Sequence, residues 1–401
     1  MQLAPAHTSN HPDHVPPDLA FDFDMYALPE AFADDTHRYW KEVQKAYPPI
    51  FWTPRYGGHW VATRGEDIKH MLEKYEQFSN HESFIPKGVQ PRIIPPTLDP
   101  PEHTPVRAML QPAFSPKALV EVQKHAREVA IQIIEELQPR GECEFVGDFA
   151  SNMPIVAFLT MLGLPVEDRI MLRGWVKMMT PSNGPHVVEG WRHITDYMKH
   201  WIEKRRANPT NDLISLVVHS KIGGRPITEE ETISVCQVLL GGGLDTVVTM
   251  TSFVARHLAK HPEDRKTLRE HPELALGAVE EFTRCFGTTN IGREVKSDLI
   301  YKGVSMRQGD MVAVCTPLYG LDDEIYAEAT KVDIRRKQAA RHMSFGSGVH
   351  NCPGAVLARR EIGIFIEEWL PRIPDFRIKT GTTPKVTTGL VNSMSEMWLE
   401  W

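Results

Sequence analysis

Cysteine is scarce: Cys143, Cys236, Cys285, Cys315 and Cys352 are the five in 401 residues, and no two form a CxxC pair. That excludes a disulfide scaffold, argues against a zinc module, and fits a reducing compartment. An excess of basic charge is missing as well. The formal net charge is -7, which argues against a nucleic-acid binder. No stretch reads as a membrane span or a secretory signal. Residues 1–24 are rich in Pro, His and Asp and contain no apolar run. Internal repeats, low-complexity tracts and interdomain linkers are also lacking. With 41% hydrophobic and 24% charged residues, the expectation is a soluble cytoplasmic chain. It forms one large domain over 21–401 behind a flexible arm, 1–20.

Helical periodicity dominates the middle of the chain, predicting helices over 102–112, 116–138, 152–162, 190–206, 228–260, 273–286 and 354–370. Strand signals lie near the two ends: "IFWTPRYGGHWVAT" predicts two short strands around Tyr56, and "LIYKGVSM" and "DMVAVC" predict further ones. The proline-rich stretch 84–102 suits neither regular structure and reads as a long irregular loop of the kind that carries function. Strands and helices do not alternate, so the fold class is predominantly α with a minor β region.

Three motifs carry chemistry. In "FGSGVHNCPG", Gly346 and Gly348 allow unusual turns, and Cys352 stands just before a helix that starts near Gly354. The free N–H groups and positive end of a helix stabilise a thiolate, and the glycines let a flat bulky group approach. A buried structural cysteine is the plain alternative. In "VLLGGGLDTVV", Gly241, Gly242 and Gly243 interrupt an apolar helix at about 1 kcal/mol each relative to Ala, so something else requires small residues there. The acid–alcohol pair Asp245–Thr246 follows. Either it serves chemistry, or the hydroxyl bonds back to a carbonyl and the acid finds a basic neighbour. In "EEFTRCF", Glu281 and Arg284 share a helix face.

The spacing Phe345, Gly348, Cys352, Gly354, with Glu281-x-x-Arg284 about 70 residues upstream, resembles the cytochrome P-450 family. "LLGGGLDTVVT", "LARREI", "RIPDF" and "GRPIT" resemble its bacterial camphor-hydroxylase-type members. The resemblance covers essentially the whole chain. It implies haem b with an axial thiolate from Cys352, in a loop that includes Phe345 and Gly346, and a helix crossing the haem at Gly242. It implies a propionate clamp of His103, Arg107, Arg293 at the start of a strand, and His350. Asp245 and Thr246 then deliver protons to dioxygen.

The same resemblance places Phe84, Thr97, Val238, Gly241, Thr289, Leu390 and Val391 on the substrate wall, suited to a compact hydrophobic molecule such as a monoterpenoid or norisoprenoid. Two departures stand out: the loop "GVQPRIIPPTLDPPE" holds no tyrosine for a substrate ketone, and Ile291 stands where an acid near a propionate is expected. No flavin motif or iron–sulfur cysteine set is present, so two electrons are expected from a small acidic 2Fe-2S ferredoxin and its NADH-dependent reductase. Lys69, Arg107, Arg359 and Arg360 are candidate contacts, with Thr104 in place of a contact arginine. The rival readings are a thiolate-haem peroxygenase, dehydratase or isomerase, and a non-catalytic haem protein that binds small ligands.

Overall fold

The computed structural model describes residues 3–89, 91–179 and 186–401. Met1 and Gln2 of the expected arm, and Gln90 of the proline-rich loop, lie outside them.

The helical expectations hold in outline. Helices run over His103–Leu110, Val120–Leu137, Met153–Leu162, His186–Ala207, Ala275–Cys285 and Ala355–Arg372. Four helices went unanticipated: Arg169–Met178, Leu213–Val218, Pro262–Glu270 and Thr316–Gly320. Pro262–Glu270 buries little beyond Arg265 and Leu268, and Arg169–Met178 little beyond Leu172. Leu213–Val218 and Thr316–Gly320, six and five residues long, are too short to display a helical period.

The stretch 228–260, expected as a single helix, is two. A capping box, in which Thr228 and Glu231 each bond the other's backbone N–H, opens Glu229–Leu244. The helix stops at Asp245 (φ -127°, ψ -28°) and resumes as Thr246–Lys260. By length and composition this stretch is apolar enough to span a membrane, but 67% of its most apolar window is buried in the protein.

The main sheet has five strands in the order Ile50–Thr53, His59–Ala62, Met311–Cys315, Asn290–Val295 and Phe78–Ser79. The pairing of Met311–Cys315 with His59–Ala62 is parallel and the others are antiparallel. Arg293 falls inside a strand, opposite Val312, rather than at a strand start as expected. The proline-rich loop forms no helix or strand among its described residues.

The arm corrects an expectation. Instead of hanging free, residues 3–20 lie against the sheet. Asp22 N–H donates to Ala6 O (2.8 Å) and Thr8 N–H to Ala20 O (3.1 Å). His7 stacks on Phe21 at 4.3 Å, and His14 Nε2 meets Asp310 Oδ2 at 2.9 Å. Val15 and Ala20 are fully buried, so the arm adds apolar surface to the sheet's core and is ordered by that burial. One hydrophobic core gathers the helices, and a second gathers sheet and arm.

Candidate functional site

Cys352 sits at the end of a tightly hydrogen-bonded loop. Its N–H donates to Phe345 O (2.8 Å), Gly346 N–H to Met343 O (2.8 Å), and Asn351 N–H to Gly348 O (3.2 Å). Gly346 and Gly348 hold φ of 71° and 66°, in the left-handed region. A Cβ at Gly348 would also press on the backbone of Leu72 and Glu73, at 3.3 and 3.2 Å. Arg359 clamps the loop from the following helix: its guanidinium lies 4.5 Å from the Phe345 ring centre, and its Nε donates to Glu280 (2.6 Å). Burial pushes the Cys352 thiol up. The N–H groups of Gly354 and Ala355, with Arg107 and Arg359, pull it back toward the thiolate.

Beneath this loop, Glu281 and Arg284 form a fully buried bidentate pair, both hydrogen bonds at 2.7 Å. The pair ties down the segment leading to the cysteine loop: Arg284 donates to the carbonyls of Gly320 and Ala329, and Glu281 accepts from Asp333 N–H (2.8 Å) and Arg336 (3.1 Å).

The broken helix passes the other side of the cavity that Cys352 lines. Its three glycines do different things. A Cβ on Gly242 would meet nothing within 4 Å, since the residue faces the cavity. One on Gly243 would fall 2.3 Å from the Phe158 ring, so that glycine permits close helix packing. Gly241 is not on the cavity wall, and its one neighbour within 4 Å among the described residues is Met179 at 3.9 Å. The Thr246 hydroxyl, on the cavity wall, donates to Gly242 O (3.0 Å), the acceptor an unbroken helix pairs with Thr246 N–H. Asp245 faces away and meets Arg173 Nε at 3.4 Å.

Four cationic or imidazole groups converge from three segments: His103 and Arg107, Arg293, and His350, all on the cavity wall. The rings of His103 and His350 are 4.6 Å apart. Burial, with the nearby charges of His350 and Arg107, lowers the His103 pKa to about 4, and burial also lowers that of His350. Arg293 is 1% exposed, and its hydrogen bond among the described residues goes to Gly292 O (2.9 Å). Burial draws its pKa down to about 10, leaving it charged at neutral pH. Arg107 turns to Asn351 O. His350 Nε2 is buried and lies 3.9 Å from Asp99, beyond hydrogen-bond reach. A buried guanidinium and an orphaned buried imidazole nitrogen facing one cavity call for an anion. Haem fits: Cys352 offers a thiolate at one point of the wall, and these residues offer donors for its propionates.

The cavity measures about 410 Å³. Of the expected substrate residues, Phe84, Val238 and Thr289 line it, and so does Ile291. Thr97, Gly241, Leu390 and Val391 do not. The Thr97 hydroxyl is spent on Ile93 O (2.6 Å), and Leu390 and Val391 reach the site only through backbone pairing with Asn290 and Thr289. Sequence reasoning missed Phe158, Met250, Thr288 and Glu361, all on the wall. Glu361 is 2% exposed, its Oε1 lacks a partner among the described residues, and burial pushes its pKa well above the usual carboxylate value. Its neighbourhood "REIGIF" reads as an ordinary amphipathic turn, so nothing local marks it.

Comparison with known proteins agrees with this geometry. The family model for cytochrome P-450 matches residues 159–285 and 283–391. A probable cytochrome P-450 127A1 of Sinorhizobium fredii is 36% identical over 98% of this chain and 97% of its own length. A cytochrome P-450 of Bacillus subtilis is 28% identical over 87% of this chain and 89% of its own. Among solved structures, CYP101J2 superposes with a TM-score of 0.90 at 37% identity, covering 98% of this chain and all of that one. CYP101C1 gives 0.90 at 35%, covering 98% and 99%. With the cysteine loop, the buried Glu281–Arg284 pair and the cationic cluster all in place, the chain belongs to the cytochrome P-450 family of haem-thiolate monooxygenases.

Proposed function

We propose that the protein hydroxylates a compact hydrophobic molecule of monoterpenoid or norisoprenoid size in the cytoplasm, with electrons from a small acidic 2Fe-2S ferredoxin reduced by an NADH-dependent reductase. The observation that carries this reading is the composition of one cavity. It has Cys352 and the cationic cluster on its wall, together with Phe84, Phe158, Val238 and Met250 and the hydroxyl-bearing Thr288 and Thr289. The cavity must hold the haem as well as the substrate, so the remaining space suits a small molecule with few polar groups.

When bound, the thiolate-ligated haem activates dioxygen for insertion of one oxygen atom into a C–H bond. The chain's own residues supply the rest. Cys352 gives the thiolate. Arg107 and Arg293 would offset the propionate charge, and the neutral imidazoles of His103 and His350 would donate hydrogen bonds to it. Phe84, Val238 and Thr289 hold the substrate and exclude water. Thr246 offers a hydroxyl at the reacting face, and Asp245, itself partly exposed to solvent, passes protons toward it. On the protein surface Lys69 and Arg360 are exposed and available to an acidic partner. Arg359 and Arg107 are engaged with Glu280 and Asn351.

The test has two stages. Reduced protein under carbon monoxide should show the strongly red-shifted Soret band of thiolate-ligated haem. A panel of monoterpenoids and norisoprenoids should then move the oxidised haem from low to high spin, and hydroxylated product should appear when ferredoxin, reductase and NADH are supplied. A thiolate spectrum with no spin shift from any panel member would discard the substrate class and leave the family untouched.

A further inference from the structure

A second cluster of ligating side chains lies at the junction of helices Thr246–Lys260 and Pro262–Glu270. One ligand-type atom from each of His257, His261 and Asp264 lies within 4.8 Å of the other two. His257 and His261 are one turn apart, so their rings stack with centres 4.2 Å apart and planes 19° from parallel. Pro262 at the first position of the next helix fixes the turn. Asp264 is thereby brought back until its Oδ2 stands 2.7 Å from His257 Nε2. Nothing in this group touches the haem cavity.

Two features favour a metal ion over a mere hydrogen-bonded corner. The His257 ring is held by packing on Phe282 and Phe286, with centres 5.4 and 5.8 Å away, so one ligand is rigid in advance. The cations nearby are directed elsewhere: Arg256 to Asp35 (3.3 Å) and Lys260 toward Asp34 (4.0 Å). Glu263 adds a further carboxylate 3.0 Å from His261 Nδ1.

We propose that His257, His261 and Asp264 form a binding site for a divalent zinc-like ion, with solvent completing the coordination shell on the exposed His261 side. Two imidazoles and a carboxylate are the donors zinc favours, and tetrahedral zinc would draw them in to about 3.3 Å of one another. The ion would pin the end of the helix that borders the haem cavity to the helix that follows it.

Zinc chloride is titrated calorimetrically into the full-length, haem-loaded, tag-free protein after chelator treatment. Wild type is compared with His261→Ala and with Asp264→Asn, two changes at accessible positions. A red-shifted carbon monoxide spectrum in both variants establishes that they are folded. The wild type should take up one ion and gain thermal stability from it, and each variant should bind at least about tenfold more weakly. Equal binding by all three proteins, as a surface pair such as His186 with Glu189 would give, overturns the proposal. So does an absence of binding heat in the wild type.

Discussion

Glu361 shows how much one side chain hidden from the sequence matters. Its carboxyl is buried at the cavity wall with its pKa raised far above 4.5. A group that holds its proton more tightly when folded adds no penalty below pH 4.5, where the unfolded chain is protonated too. As pH rises past that value the unfolded state sheds the proton first, and relative stability is lost until the folded group also ionises. Glu361→Gln removes this slope, so its stability relative to wild type should be greater at pH 8 than at pH 5. Urea midpoints at the two pH values measure it, and an identical difference at both would mean that Glu361 is already ionised in the fold. Thr246 allows a sharper functional test. Its hydroxyl is on the cavity wall, so Thr246→Ala should leave the carbon monoxide spectrum intact while NADH consumption persists and product falls severalfold. An unchanged ratio of product to NADH would remove Thr246 from proton delivery.

The glycine-rich helix carries the lesson at the level of elements. Three consecutive glycines were legible as an anomaly from the sequence alone, because each lowers helix stability. Their separate reasons were not, because those depend on what packs opposite. Among the described residues Gly241→Ala meets nothing closer than 3.9 Å, and it should stabilise the protein by up to about 1 kcal/mol. Gly243→Ala places a methyl 2.3 Å from Phe158 and should destabilise it by about 1–3 kcal/mol despite the same gain in propensity. Thermal midpoints of the two variants should therefore move in opposite directions. A parallel shift would mean that Phe158 swings aside freely. The same division explains the rest of the reading. Cys352, Glu281 and Arg284 were found because their partners are close in sequence or fixed by a short spacing. The break at Asp245 was missed because a threonine hydroxyl replaces a backbone donor without altering the apolar pattern. The helix Pro262–Glu270 was missed because it has almost no buried face. Thr97, Leu390 and Val391 were assigned to the wall by family position, but one spends its hydroxyl on its own turn and the other two approach through backbone.

At the scale of the whole molecule, the fold keeps a charged cluster ready for a group that it does not neutralise by itself. Among the described residues, Arg293 is buried and charged without a carboxylate in hydrogen-bond contact, and His350 has an unpartnered nitrogen. A buried charge deprived of its partner costs several kcal/mol, whereas an apolar residue of similar volume in its place is often neutral or stabilising by about 1–4 kcal/mol. In the haem-free protein, then, Arg293→Met should raise the unfolding midpoint. With haem bound, a propionate would supply the missing anion, and the same substitution should lower the midpoint and speed transfer of haem to an acceptor such as apomyoglobin. The two forms should also differ strongly in the wild type, because a ligand at a thousandfold over its Kd adds about 4 kcal/mol to the folded state. Melting curves of wild type and Arg293→Met, each with and without haem, make a four-way comparison in which the sign of the mutational effect reverses on haem binding. If Arg293→Met destabilises both forms alike, Arg293 serves the strand Asn290–Val295 rather than the cofactor, and the propionate cluster reduces to His103, Arg107 and His350.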